Sequence, residues 1–519
     1  MYKCPSCGGQ LLYDPETMGL KCNSCHNTFK LDTISETESA EHLNGFTCPN
    51  CGGKLIGTGD QFTGFCPFCG SQVEMKATET GVKEPDGIAP FTVSKDACKS
   101  IFTNAIKKCG FTPREFTNPD FLRRAQGVYI PFTQYDANIK GTIMAEGERG
   151  GGSDYDVYLV SGSSQGGYVS TIRDASNGLD DELSEALNFQ ANRWTGYSPV
   201  YLSGFYADIP DVDPAVYADE AQAECENAAV REMFKATHLD DGGKHDLTHA
   251  NTKLTTKEVL YPAWFLTLRY NDRVSYSLIN GTNGNFVAKF PVDMSKFLIL
   301  ALCIAVPIFA ILSIAPIAVR HMTAVLWCAV ISFISGLICL NGTIGALRSE
   351  AEKYGHRTGG IGKAVAREVS GISARGGRLI AITIAAFIIC GAFVSTMSDY
   401  LSFTFIGPRN GGLLLLLIYI ITALVELAIK SRYKWNEDDL MAIKRRFNGD
   451  FLIFSVSMLL PSIYCIIGSV YNLVSYGVMI FTLLLSWWLM IRSIQSYNIR
   501  VTNPIGYFEK RKGIRNERI

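Results

Sequence analysis

Near the N-terminus a cysteine pattern occurs twice. Cys4-x2-Cys7 is followed, after fourteen residues, by Cys22-x2-Cys25; Cys48-x2-Cys51 is followed, again after fourteen, by Cys66-x2-Cys69. Two thiolates two residues apart grip one metal ion from a single tight turn. Two such turns, joined by a short antiparallel ribbon, close a tetrahedron of sulfurs, the geometry of structural zinc. Two small β ribbons are therefore expected, at 1–33 and 34–75. Each would hold one structural Zn2+, through Cys4, Cys7, Cys22 and Cys25 in the first and Cys48, Cys51, Cys66 and Cys69 in the second. Four sulfurs per ion leave no open position for water or substrate, so neither site is expected to be catalytic.

The neighbouring residues agree. Gly8-Gly9, Gly52-Gly53 and Gly70 follow the second cysteine of three pairs, where a turn calls for positive φ. Pro5, Pro49 and Pro67 follow the first cysteine and help fix the turn. Other cysteine chemistries fit less well. Redox Cys-x-x-Cys thiols open a helix in a βαβ setting, which this segment lacks. Disulfides need an oxidising compartment, and no cleavable signal precedes Cys4. Cys22 to His26 spells the haem-attachment string Cys-x-x-Cys-His, but both cysteines already belong to the duplicated set.

The near-neutral balance of 48 Lys+Arg against 49 Asp+Glu conceals an asymmetry. Residues 1–294 carry 25 basic and 38 acidic side chains, and from Ser295 onward the counts are 23 and 11. The second half is also apolar. A hydrocarbon core of ~30 Å is crossed by about 20 apolar helical residues. Six stretches qualify, near 297–315, 324–344, 379–397, 411–429, 451–469 and 475–491. Basic residues gather in alternate connections: seven from Arg348 to Arg378, six from Lys430 to Asp450, and seven after Ile491. The other connections hold only Arg320 and Arg409. The positive-inside rule then places the N-terminus, both basic loops and the C-terminus in the cytoplasm of a multi-pass protein of the cell membrane. Cytosolic thiols stay reduced and available to metal. The membrane domain is expected at 295–495, with a basic cytoplasmic tail at 496–519.

Between ribbons and membrane, 76–90 reads as a linker and 91–294 as an α+β cytosolic domain. Ser94 caps a helix running to about Cys109. Val128–Phe132 is extended, and its Pro131 suggests an edge strand or a bulge. Asp156–Val160 and Tyr168–Ile172 read as further strands. Asp213-Pro214 opens a helix to about Thr237. Glu258–Arg269 pairs with Arg273–Ile279, and Asn280-Gly281 turns the chain into Asn285–Phe290. Strands and helices without βαβ alternation favour α+β. The expected fold class is thus multi-domain: two β zinc ribbons, an α+β domain, and an α-helical membrane domain of about six transmembrane helices.

CPSCGG (Cys4–Gly9), CPNCGG (Cys48–Gly53), GVYIPFTQYDA (Gly127–Ala137) and LYPAWFLTLRYNDRVSYSLINGTNGNF (Leu260–Phe286) carry a resemblance. The chain resembles bacterial multi-pass membrane proteins with N-terminal TFIIB-type double zinc ribbons, proteins also labelled primosome- or helicase-like. It is similar to membrane partners of the phage-shock protein A envelope-stress system. The resemblance covers residues 1–294 and implies docking of proteins at the inner face of the membrane.

No catalytic constellation stands out, and no small-molecule substrate is indicated. Gly359–Ala364 lacks both the first glycine and the Ser/Thr of a phosphate loop. His245-x3-His249 has metal-ligand spacing for a helix, but Gly242-Gly243 precede it and the glutamate of the motif is missing, so it reads as a solvated loop. Cys98, Cys109 and Cys225 read as small buried apolar residues, as do the cysteines within the spans. Transport would call for ionisable residues inside a span, and only Glu426 qualifies. Nucleic-acid binding would call for a basic footprint, yet residues 1–75 hold four lysines against eight acidic residues. The expected function is a non-enzymatic zinc-ribbon adaptor or scaffold docking protein partners at the membrane. A transporter or channel with a regulatory zinc-binding head is one alternative; a zinc-ribbon nucleic-acid binder is the other.

Overall fold

A computed structural model describes residues 2–31, 43–314, 321–355, 438–467 and 472–504, apart from 59–60, 81–82, 152–153, 177, 180, 248–249 and 271–272. It also describes scattered positions from 412 to 423. The chain divides into two units: Met1–Gly110 with Arg114–Lys289 and Pro504–Ile519, and Phe111–Pro113 with Phe290–Asn503.

In the first unit β1 (Leu11–Asp14), β2 (Gly19–Cys22) and β3 (Thr28–Phe29) form a separate antiparallel sheet. The next strands are β4 (Asn44–Thr47), β5 (Lys54–Gly57), β6 (Gln61–Phe65), β7 (Gln72–Thr80) and β8 (Gly87–Ile88). Then come α1 (Lys95–Ile106), α2 (Pro119–Arg123), β9 (Gln126–Gly151), β10 (Asp154–Asp174), α3 (Asp181–Ala186), β11 (Thr195–Gly196) and β12 (Tyr206–Asp208). The unit continues through α4 (Ala218–Thr237), β13 (Asp240–Asp246), β14 (Ala250–Tyr270), β15 (Arg273–Asn280) and β16 (Phe286–Ala288).

The main sheet runs β11-β8-β14-β9-β12-β5-β4-β7-β6. The strands of the second cysteine set are therefore part of it. β12 makes the join, parallel to β9 at Tyr206↔Val128 and antiparallel to β5 at Ala207↔Ile56. One core spans both: Phe46, Leu55, Phe62 and Phe68 pack in the same cluster as Val128, Ile130, Tyr261 and Phe265. The separation of 34–75 from 91–294 by a linker does not survive. β7 continues to Thr80, and the backbone around β8 bonds to β14 through Asp86 N–H to Glu258 O (2.8 Å) and Ala89 N–H to Leu260 O (2.8 Å).

Several local expectations are refined. The Ser94 hydroxyl accepts from Ala97 N and caps α1. Asp213 caps a short 3-10 turn, Pro214–Val216, which leads into α4. The two strands expected within 156–172 are one, β10, paired along its length with β9 and bulged at Gln165/Gly167. Pro131 is not at an edge: β9 lies between β14 on one side and β12 and β10 on the other. Pro131 O accepts from Ala175 N just past β10. A strand residue's N–H and C=O point the same way, so the missing N–H faces the gap where β12 and β10 both end. Pro262, on β14, repeats the device. Its carbonyl accepts from Gly281 N, at the joint between β8 and β15. A strand can carry proline centrally where no ladder bond is due.

The second unit contains α5 (Met294–Ile314), α6 (His321–Gly355), α7 (Asp438–Ile467) and α8 (Asn472–Val501). Among the described residues, three helices are long and apolar enough to cross a membrane, over Ala324–Ala346, Arg446–Ile467 and Leu473–Val501; the apolar helix Met294–Pro307 is shorter. Of the six expected spans, that near 379–397 lies outside the described residues, and that near 411–429 is described only at scattered positions. Outward faces are apolar, with Trp327, Ile331, Leu452, Leu460, Ile480 and Trp488 exposed. Hydroxyls face inward instead: Ser332, Thr343, Ser457, Thr482 and Ser496 are fully buried. Water favours the opposite arrangement, whereas helices packing in lipid use small and hydroxyl side chains at their contacts. At Gly336 an added Cβ would lie 1.9 Å from the Phe454 ring, so α6 and α7 meet there backbone to ring.

Candidate metal centres

The eight cysteines gather into two sets: Cys4, Cys7, Cys22 and Cys25, and Cys48, Cys51, Cys66 and Cys69. Within each set all sulfurs lie within 4.8 Å of one another. Each set is built from two turns of one design. The first cysteine of a turn donates its N–H to the carbonyl five residues on: Cys4 to Gly9, Cys22 to Asn27, Cys48 to Gly53 and Cys66 to Ser71. Its carbonyl accepts from the residue four on: Gly8, His26, Gly52 and Gly70. That fourth residue is left-handed in every turn, with φ of 72°, 59°, 72° and 67°. Three of the four are glycine. His26 is the fourth, an exposed side chain at a backbone position that favours glycine.

The sulfur spacing fits a tetrahedron. Cys7 and Cys22 Sγ are 3.5 Å apart, and Cys4 and Cys25 3.7 Å. In the second set the Cys48–Cys69 and Cys51–Cys66 separations are both 3.8 Å. Metal–sulfur bonds of ~2.3 Å set the edge of a regular tetrahedron at roughly 3.8 Å. The electrostatics ask for a cation. The N–H groups of Cys25 and Ser24 reach Cys22 Sγ at 3.4 Å, and chiefly the Cys25 bond pulls the Cys22 thiol down to about 6. In the second set, bonds shared among the sulfurs push Cys51 and Cys66 up, first through Cys48, and pull Cys48 and Cys69 down. Four thiols in one pocket do not ionise together without a positive charge between them. Both sets can hold a metal ion through sulfur alone.

The two sites differ in their surroundings. In the second, all four cysteines are at most 2 % exposed. Tyr276 Oη donates to Phe68 O (2.7 Å), Thr267 Oγ1 donates to Pro67 O, and the Phe68 ring meets Phe265 edge-on at 6.4 Å. The turn Cys66–Gly70 is thus held from β14 and β15. Gly70 is doubly constrained, since an added Cβ would also lie 3.0 Å from Thr267 O. In the first site Cys4 and Cys22 are buried, Cys25 is half-buried and Cys7 is exposed. Its ribbon is fastened through Tyr13, whose Oη donates to Phe91 O (3.1 Å) and whose N–H donates to Ser203 O (2.9 Å).

Other candidates fall elsewhere. His245 sits on strand β13 opposite Ala145, not in a loop, and His249 lies outside the described residues, as do Glu426 and Gly359–Ala364. Cys98 and Cys225 are buried, but Cys109 is exposed at the end of α1.

Two polar clusters were not anticipated. Asp136, on β9, accepts from Lys257 Nζ (2.9 Å), Ser170 Oγ (2.7 Å) and Gln134 Nε2 (2.7 Å). Burial opposes its charge, but these bonds outweigh it and hold the carboxyl below its ordinary range. In the helical unit Asp450, fully buried, accepts from Arg492 Nε (2.6 Å) and Thr343 Oγ1 (3.1 Å). Each of these charges stands one residue outside an expected span, and their shared end of the bundle was the available signal.

No family model matches the chain, and no solved structure matches it. The chain is similar to a protein of Bacillus subtilis (strain 168) described as "Uncharacterized protein YdjG". The two are 25 % identical over 313 residues, covering 57 % of this chain and 91 % of that protein.

Proposed function

We propose that this chain is a membrane-anchored zinc-ribbon adaptor: a non-enzymatic, multi-pass protein whose metal-bearing head docks protein partners at the cytoplasmic face. The observation that carries this reading is the closure of both cysteine sets. Four sulfurs at tetrahedral spacing offer a metal no vacancy for chemistry, and the second set sits in the core of the sheet. Tetrahedral sulfur sets take zinc or iron–sulfur chemistry; zinc is the reading for both sites. The acidic balance of residues 1–75 disfavours nucleic acid. The resemblance to partners of the phage-shock protein A system points to envelope stress as the setting.

Helix directions support six crossings. Thr343 and Gly336, on α6, meet Asp450 and Phe454, on α7, so these helices are antiparallel. Thr343 faces Ser496 and Ser349 faces the Arg500 carbonyl, so α6 and α8 are parallel. Gly412 lies against Ser462 and Cys465, while Tyr419 meets Phe454, so this stretch runs opposite to α7. The main chain of Val292, just before α5, bonds to Asn498 at the Asp450 end. α6 therefore finishes at the Asp450 end and Gly412 lies at the other. The chain between them joins opposite ends, as a further crossing near 379–397 requires. The basic loops then share the Asp450 end, which is the cytoplasmic one by the positive-inside rule.

The test uses full-length protein in bilayer discs. Titration with DNA and RNA at low and physiological salt is expected to show no tight, salt-sensitive binding. Crosslinking in native membranes is expected to capture defined protein partners, and to lose them when Cys48 and Cys51 become serine. Tight salt-sensitive nucleic-acid binding would overturn the reading.

One observation favours a second reading. A buried acid–arginine pair inside a bundle marks many substrate pathways. Solute flux through reconstituted protein that is lost in Asp450→Asn would favour transport. In the adaptor reading the pair only fastens α6, α7 and α8.

A further inference from the structure

The two cysteine sets share one turn design and one sulfur spacing, so their intrinsic chemistry is matched. They differ in access. Cys7 is exposed and Cys25 half-buried, whereas every sulfur of the second set is buried under Phe46, Phe62, Phe68 and the main sheet. The first site hangs on a three-stranded sheet of its own. Oxidation of a thiolate follows its exposure and its ionisation. Cys7 offers the exposure. The Cys22 sulfur stands 3.5 Å away, the nearest partner for a disulfide.

We propose that the first cysteine set is a peroxide-responsive modification site, with Cys7 the attacking sulfur and Cys22 the resolving one. The second set is its inert structural twin. This inference rests on the metal reading given above. The Cys7 thiolate attacks a peroxide oxygen; the S–O bond forms, the O–O bond breaks and hydroxide leaves. The Cys22 thiolate then attacks the Cys7 sulfur; the S–S bond forms, the S–O bond breaks and a second hydroxide leaves. Two solvent protons convert the hydroxides to water. Two electrons pass from sulfur to peroxide, and only Cys4 and Cys25 would remain to hold a metal ion at this site. The released ribbon changes the surface offered to a partner while the main sheet keeps its own metal.

The test uses the full chain in detergent, loaded with zinc. Metal content is measured first, so a chain holding fewer than two zinc ions fails the metal reading itself. Hydrogen peroxide is then added, released zinc is followed with a chromogenic chelator, and tryptic peptides are mapped by mass. Half of the zinc is expected to leave roughly tenfold faster than the rest, as the contrast in exposure implies. In step with it, a disulfide should join peptides Cys4–Lys21 and Cys22–Lys30, while Leu31–Lys54 and Leu55–Lys76 stay reduced. Reductant and zinc should restore the starting state. Release of both ions in one phase would overturn the proposal with the metal reading intact. So would earlier oxidation of Cys48–Cys69, resistance of both sites, or sulfinic acid at Cys7 in place of the disulfide.

Discussion

At position 26 a histidine adopts the left-handed backbone that glycine takes in the three sister turns. An L side chain there costs about 1–2 kcal/mol per residue. His26→Gly is therefore expected to tighten metal binding at the first site, and Gly8→Ala to weaken it, each by up to about thirtyfold through that same backbone term. Nothing lies within 4 Å of a Cβ at Gly8, so the second change tests conformation without a clash. Competition with a chelator of known affinity reads both. The Tyr276 hydroxyl on Phe68 O is a different kind of contact. Tyr276→Phe leaves a buried carbonyl short of a donor and is expected to cost about 1–3 kcal/mol, read as a fall in the denaturation midpoint. The cysteines and turn glycines were legible from spacing alone. Tyr276 was not, because its partner lies two hundred residues away in the chain.

Among the elements, the second ribbon behaves as part of a larger sheet. Its cysteine spacing repeats that of the first, yet β4, β5 and β7 pair into the main sheet through β12, a strand of three residues without a signature. That join was invisible in the sequence, and it changes what mutation should do. Cys22→Ser is expected to release the first metal and leave the main sheet standing. Cys66→Ser is expected to remove metal from a core shared with β9, β14 and β15, and to lower the melting temperature of the whole first unit. Calorimetry of the two variants separates these outcomes; equal, local effects would contradict the shared core. The Asp136 cluster gives a pH signature. A carboxyl whose pKa is depressed by folding stabilises above its unfolded value, ~3.9, and loses that contribution as pH falls through the folded value. The acid limb of the stability curve, below about pH 4, should therefore flatten in Asp136→Asn. Pro131 and Pro262 show why composition misled: proline excludes a ladder bond, not a central strand, and both lie where a neighbouring strand ends.

For the whole molecule, the apolar half and its alternating basic loops were plain in the sequence, because lipid demands long apolar helices and charge asymmetry. What hydrophobicity could not convey was which helices meet. The contacts of Gly336 with Phe454 and of Asp450 with Arg492 and Thr343 define that. Single cysteines introduced into a cysteine-depleted membrane domain are expected to label from the cytoplasmic side at Ser349 and Arg500, and from the opposite side at Val474. Labelling of all three from one side would contradict six crossings. Beneath the adaptor reading lies a simpler claim, that two closed four-sulfur sites each hold zinc. Elemental analysis of purified full-length protein tests it most directly. Two zinc ions per chain are expected; a single ion, none, or iron in their place would contradict it.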